Sequence, residues 1–226
     1  MRHRLLCVLA LGLLPTIATA GNELVIELLD ANGERLRHAV VHLDGPGPDA
    51  STDIVSEMDH RDMQYEPHVL PVQRGTRVDF PNRDQVRHHV YSFSPAKRFE
   101  LPLYHGRPPE PVLFDRTGTV VLGCNIHDHM IGYILVLDTP YFTAADEDGR
   151  YRLPLPESGS ADELLVWHPV LEEQGTTHRH SLEGGGDAEL TLQLEVADRP
   201  PPGPEGLRQP RRQGLEERFE RHRHDD

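Results

Sequence analysis

The 226-residue chain sets 37 aspartates and glutamates against 23 lysines and arginines, a formal net charge of −14 with histidine neutral. So acidic a chain is a poor match for nucleic acid or anionic lipid and favours redox or other protein partners with a basic docking surface, although solubility after export explains the charge equally well. Length suits one or two small domains with real cores, and beyond the N-terminal segment no apolar run is long enough to span a bilayer, so the mature chain is expected to be soluble without stable membrane insertion.

Residues 1–20 read as a signal peptide: Arg2 and Arg4 give a charged start, 5–14 an apolar stretch, and Ala18-Thr19-Ala20 a small-residue cleavage site. Cleavage near Ala20 predicts a periplasmic or secreted protein. Residues 21–48 predict an N-terminal β-hairpin region, with β-rich runs at 24–28 and 39–43 around Asp30-Ala31-Asn32-Gly33, closed by Gly45-Pro46-Gly47-Pro48. Across 49–140, short apolar runs recur at 76–80, 90–93, 112–114, 119–122 and 131–137 between turn residues, with no long helical period. Many short strands at this spacing predict an all-β chain and a sandwich or barrel. Residues 141–198 open on the turn Asp146-Glu147-Asp148-Gly149 and continue with runs at 151–153 and 164–167, then alternation at Leu190, Leu192, Leu194 and Val196. That small β region is expected to pack on the first domain or to complete a second sandwich with the N-terminal hairpin. Residues 199–226 are rich in proline, arginine and glutamate and read as a disordered tail, in which His222 and His224 are solvated.

Cysteine usage carries the chemistry. Cleavage removes Cys7 and leaves Cys124 alone in an oxidising compartment, where a lone thiol pairs between chains or does chemistry. It sits in Cys124-Asn125-Ile126-His127-Asp128-His129-Met130, between two strand-like runs. Thiolate, imidazole and thioether in one short loop are copper donors, and a type 1 centre needs two imidazoles and a thiolate near one plane with a weak axial thioether. The second imidazole must come from elsewhere, and residues 80–91 offer His88 and His89. Strand alternation does not choose between them, because each has an apolar residue two positions on, Val90 or Tyr91.

Phe80-Pro81-Asn82 followed by His88-His89-Val90, and later Cys124-Asn125-Ile126-His127 with Met130 nearby, resemble the plastocyanin-like branch of the cupredoxins. The resemblance implies His88 as the first ligand, at the family's interval after Phe80, with Cys124, His127 and Met130 completing one type 1 copper site. His89 then follows the ligand, where it either supports it from outside or is exposed. The interval between His127 and Met130 is shorter than in plastocyanins, which leaves His129 as an alternative axial ligand, although an exposed loop histidine is expected there. A longer likeness, over about residues 22 to 197, is to exported cupredoxin-like proteins of the methylamine-utilisation type. It is carried by residues 90–94, the ligand loop, 132–136, 138–142 and Trp167-His168-Pro169. It implies a Greek-key cupredoxin sandwich at 49–140 followed by a transthyretin-like (carboxypeptidase regulatory-like) region at 141–198. Nothing in these residues binds methylamine.

The expected function is single-electron transport, not catalysis, because protein donors fill every strong position around the metal. The chief rival is a copper chaperone or buffer, which 15 histidines would serve. Zinc takes methionine poorly and this cluster has no second thiolate. A purely structural sandwich would make the cluster a coincidence. A binuclear copper site lacks its second cysteine, haem attachment its Cys-x-x-Cys-His, and a serine hydrolase its nucleophile elbow. Met58, His60, Met63 and His68 suggest a second copper site but are expected to be ordinary loop and strand residues, and residues 146–148 an acidic turn rather than a calcium loop.

Overall fold

The computed structural model describes residues 23–45, 54–108, 110–156, 162–182 and 189–196; the expected signal peptide and proline-rich tail lie outside these. In chain order the strands are β1 (Glu23–Leu29), β2 (Val40–Leu43), β3 (Val55–Glu57), β4 (Asp59–Arg61), β5 (Gln64–Glu66), β6 (Val69–Gln73), β7 (Arg77–Asp79), β8 (His88–Ser92) and β9 (Phe99–Tyr104). They continue as β10 (Val112–Leu113), β11 (Gly118–Cys124), β12 (Ile131–Leu137), β13 (Phe142–Ala144), β14 (Tyr151–Pro154) and β15 (Glu163–Trp167), then the helix α1 (Pro169–Glu173), β16 (His178–Ser181) and β17 (Glu189–Gln193). The chain is all-β, built as two packed sandwiches.

In the first, the five-stranded sheet β6-β12-β11-β8-β9 faces the three-stranded sheet β10-β7-β3. Alternating inward residues such as Val90, Val120, Leu122 and Ile134 meet Val78 and Phe114 across the core. The short β4-β5 hairpin is a separate two-stranded piece, and its Tyr65 belongs to this core.

In the second, the sheet β14-β1-β17 faces β13-β2-β15-β16. Leu24, Ile26 and Leu28 of β1 share a core with Val41 and Leu43 of β2 and with Leu164 and Val166 of β15. The turn expected at 30–33 is present: the Asp30 carboxylate accepts the backbone N–H of Asn32 at 2.8 Å and of Glu34 at 2.9 Å, and the Leu36 N–H reaches the Leu28 carbonyl at 2.8 Å. The expected hairpin of the two flanking runs is corrected, however, because β1 and β2 lie in opposite sheets. β1 runs antiparallel to β14 and parallel to β17, while β2 pairs with β13 and β15. An isolated two-stranded hairpin is marginal in water, and each strand buries far more in a sheet of three or four.

The apolar runs without alternation are explained by where the sandwiches meet. Val40 and Trp167 of the second pack on Val69, Leu135 and Leu137 of the first, so β2, β12 and β15 are covered on both faces and read as continuous hydrophobic stretches. Polar contacts cross the same seam: one Glu172 carboxylate oxygen accepts the Trp167 indole N–H at 2.8 Å and the Thr119 hydroxyl of β11 at 3.0 Å. Among the described residues no helix is long and apolar enough to cross a membrane.

Candidate metal centre

Strand register places the donors. β8 and β11 run antiparallel with Cys124 opposite Val90, which puts the start of β8 and the end of β11 at the same end of the sheet. Along β8 the buried residues are His88, Val90 and Ser92, and along β11 they are Val120, Leu122 and Cys124. Alternation therefore turns His88 and Cys124 into one interior and His89 to the other face, where its Nε2 lies 2.8 Å from Glu100. The pairing of β8 with β9 slips by one residue between His88 and Val90, an irregularity that re-aims the histidine at the strand's end. His127 comes from the β11–β12 loop, which is closed by a hydrogen bond from the Met130 N–H to the His127 carbonyl at 2.9 Å.

Cys124 Sγ lies 3.8 Å from His88 Nδ1 and 3.7 Å from His127 Nδ1, and the two nitrogens are 3.2 Å apart. The point equidistant from these three atoms is about 2.1 Å from each, within the roughly 2.0–2.3 Å that imidazole and thiolate ligands keep from a metal such as zinc. No other group of three or more His, Cys, Asp or Glu donors converges this way among the described residues. Cys124 is 3% exposed, His88 0% and Met130 1%, and Met130 shares the core cluster of Cys124.

The state of His88 is set from behind. Its Nε2 is 2.8 Å from an Asp84 carboxylate oxygen; an ionised carboxylate only accepts, so Nε2 carries the proton and Nδ1 keeps its lone pair toward Cys124 and His127. Burial lowers the His88 pKa, with Asp84 opposing. For Asp84 burial pushes the pKa up, but hydrogen bonds from the Met63 N–H, His88 and the Asp62 N–H outweigh it and leave the carboxyl below its ordinary range. Asn82 orders the approach to β8: its amide donates to the carbonyls of Val86 at 2.9 Å and Tyr104 at 3.1 Å, and its oxygen accepts the Asp84 N–H at 3.0 Å.

Two glycines and two tyrosines shape the neck of the ligand loop. Tyr65 lies over Gly132, where an added Cβ would come within 2.8 Å of the Tyr65 side chain, and its hydroxyl donates to the Gly123 carbonyl at 2.9 Å. An added Cβ at Gly123 would sit 2.7 Å from the Tyr91 ring. The loop thus leaves its two strands under a tyrosine strap that tolerates no side chain beneath it.

One histidine differs from the expectation. His129 is buried, 6% exposed, not an exposed loop residue; it lies near the Met63 backbone of the β4-β5 turn, which covers it, and neither of its ring nitrogens makes a hydrogen bond of good geometry. His60 is a strand residue of β4, as expected, and is fully buried, edge-on to His88 at 5.1 Å between ring centres. Burial, and then His88, push the His60 pKa down to about 3, so the ring is neutral. His68, by contrast, packs on His38 and Tyr133, so the Met/His-rich stretch is divided between two environments. The acidic turn at 146–148 is a local structure in which Asp146 accepts the N–H groups of Asp148 and Arg150. The roles of Asp84, Tyr65 and His60 were not read from the sequence; only the four-residue interval from Asp84 to His88 hinted at one.

No protein-family model matches the chain, and no curated protein does. Among solved structures it is similar to a copper-containing nitrite reductase (NirK) from Thermus scotoductus SA-01, at 23% identity over 43% of this chain and 25% of that one, with a TM-score of 0.37. The chain therefore spans about a quarter of that reductase. A reduced mutant of amicyanin is 24% identical over 43% of this chain and 98% of its own, with a TM-score of 0.34. A purple cupredoxin from Nitrosopumilus maritimus is 22% identical over 38% of this chain and 100% of its own, with a TM-score of 0.32. These partial likenesses leave the reading of the centre to its own donor geometry.

Proposed function

We propose that this chain is an exported mononuclear type 1 copper protein that passes single electrons between redox partners. The observation that carries the reading is the triangle of His88 Nδ1, His127 Nδ1 and Cys124 Sγ, one thiolate and two imidazoles at metal-bonding separation. Copper held there supplies a one-electron couple. The thiolate, with the buried Met130 thioether as a weak donor, would favour copper over zinc, which takes methionine poorly. His88 and Cys124 are fixed by neighbouring strands and His127 by a closed loop, so the donors are organised in advance and move little when the charge at their centre changes. With Met130 as the fourth donor the set would be filled by protein, which supports a carrier and not an enzyme. Ile126, half exposed one residue before His127, offers an apolar contact beside the centre, and the chain's charge of −14 suits a basic partner. In this reading the second sandwich, transthyretin-like by its sequence resemblance, is a rigid base for the metal-bearing sheet.

The test is Cys124→Ser in the copper-loaded mature protein. The variant is expected to lose the visible thiolate-to-copper band and the reversible couple while its far-ultraviolet circular dichroism stays that of the parent; a variant that remains coloured contradicts the reading. A chaperone would surrender copper to a chelator within a few redox cycles, whereas a carrier retains it.

A further inference from the structure

The tip of the β4-β5 hairpin makes a contact that electron carriage alone does not require. Asp62 and Met63 both adopt left-handed backbone, φ 52° and 57°, a conformation that is strained for a non-glycine residue. Both of their N–H groups point at one carboxylate: Asp84 Oδ1 accepts from Asp62 at 2.7 Å, and Oδ2 from Met63 at 3.0 Å. The same Oδ2 lies 2.8 Å from His88 Nε2. The Asp84 side chain is 12% exposed and that of His88 0%, so little water screens one from the other. The carboxylate is thus held in place by two backbone donors and faces the imidazole whose other nitrogen belongs to the donor triangle.

We infer that Asp84 is a positioning residue that sets the reduction potential of the centre, with the hairpin tip as its clamp. The inference rests on the copper reading above. A fixed negative charge behind His88 stabilises the more positive, oxidised state of the metal and strengthens Nδ1 as a donor through the hydrogen bond at Nε2. The exchange with a redox partner protein would be one electron in or out. The strained turn presents two adjacent N–H groups that hold the carboxylate stationary, where a solvated side chain would rotate away.

The experiment is the reduction potential of the copper-loaded mature chain, with visible and paramagnetic resonance spectra, for the parent, Asp84→Asn and Asp84→Glu. Asparagine keeps an oxygen for the His88 N–H and loses the charge. It is expected to retain the thiolate band and to shift the Cu(I)/Cu(II) ratio toward Cu(I) by at least about tenfold at fixed applied potential, or ~59 mV for one electron. Glutamate restores the charge and is expected to bring the potential back toward the parent value. A blue Asp84→Asn protein whose ratio moves less than twofold overturns the role of Asp84 while leaving the copper reading intact. A parent protein that binds Cu(II) with no thiolate band overturns the copper reading, and this inference with it. Should the asparagine variant fold poorly, proton resonance of the parent in its diamagnetic Cu(I) form decides: a slowly exchanging His88 Nε2–H supports the clamp, and rapid exchange overturns it.

Discussion

The two sandwiches are built alike and differ in what they bury. The hydrophobic core shared by β1, β2, β14, β15 and β17 is almost wholly aliphatic, its Tyr151 hydroxyl is matched by the Leu36 carbonyl at 2.8 Å, and Asp30 and His168 are among the polar side chains buried beside it. The core under β8, β11 and β12 contains a thiol and two thioethers, with His60, His88, Asp59, Asp79 and Asn82 also buried. Buried polar groups cost stability unless each is bonded, and His60 Nε2 and the two ring nitrogens of His129, which make no hydrogen bond, show where this sandwich accepts that cost. One sandwich buries mainly aliphatic side chains; the other places the candidate donors inside its apolar core, and the two pack on each other across the seam.

If that division is right, damage to the aliphatic core and damage to the centre should separate. The largest effect is expected from Ile26→Ala, fully buried in the second core, at about 2–5 kcal/mol in denaturant unfolding. The spectrum of the loaded protein should not change, and a changed spectrum would break the comparison. Next is Gly132→Ala, whose added methyl meets Tyr65. A loss of about 1–3 kcal/mol is expected, this time with faster copper release, because the strap over the ligand loop is displaced.

A pH effect of smaller size should arise at the seam. Burial, then His38, push the His68 pKa down to about 4, whereas in the unfolded chain it is about 6.5. Stability from neutral His68 is then complete above pH ~6.5 and lost as pH falls from there toward about 4, because the unfolded chain takes the proton first. Thermal melts of the metal-free protein across that window should show the decline, to which His60 also contributes, and His68→Gln should make it shallower; an equal slope in both proteins removes His68 as a source. The smallest effect is Tyr65→Phe, which leaves the Gly123 carbonyl without its hydroxyl partner and should lower stability by about 1 kcal/mol, read as a small drop in melting temperature.

Local chemistry was readable in the sequence and long-range pairing was not. The runs at 119–122 and 131–137 lie in β11 and β12, because apolar patterning and turn residues act over a few positions. The parallel pairing of Val25 with Glu189 joins segments at opposite ends of the described chain, and nothing local encodes it, so β1 and β2 read as one hairpin. At the centre, alternation alone left His88 and His89 equivalent; the register of β8 against β11 and β9 is what turns only His88 toward Cys124. Asp84 lies outside any regular strand, so its aim at His88 depends on a hairpin tip some twenty residues earlier. His129 read as exposed because the loop sequence does not reveal that the same tip covers it.

The most direct test of the central claim is to load the purified mature chain with one equivalent of Cu(II) and record its visible and paramagnetic resonance spectra. An intense thiolate-to-copper band with narrow copper hyperfine splitting is the predicted result, since Cys124, His88 and His127 already stand at bonding separation. A colourless complex with the wide splitting of an ordinary tetragonal Cu(II) site would contradict the account.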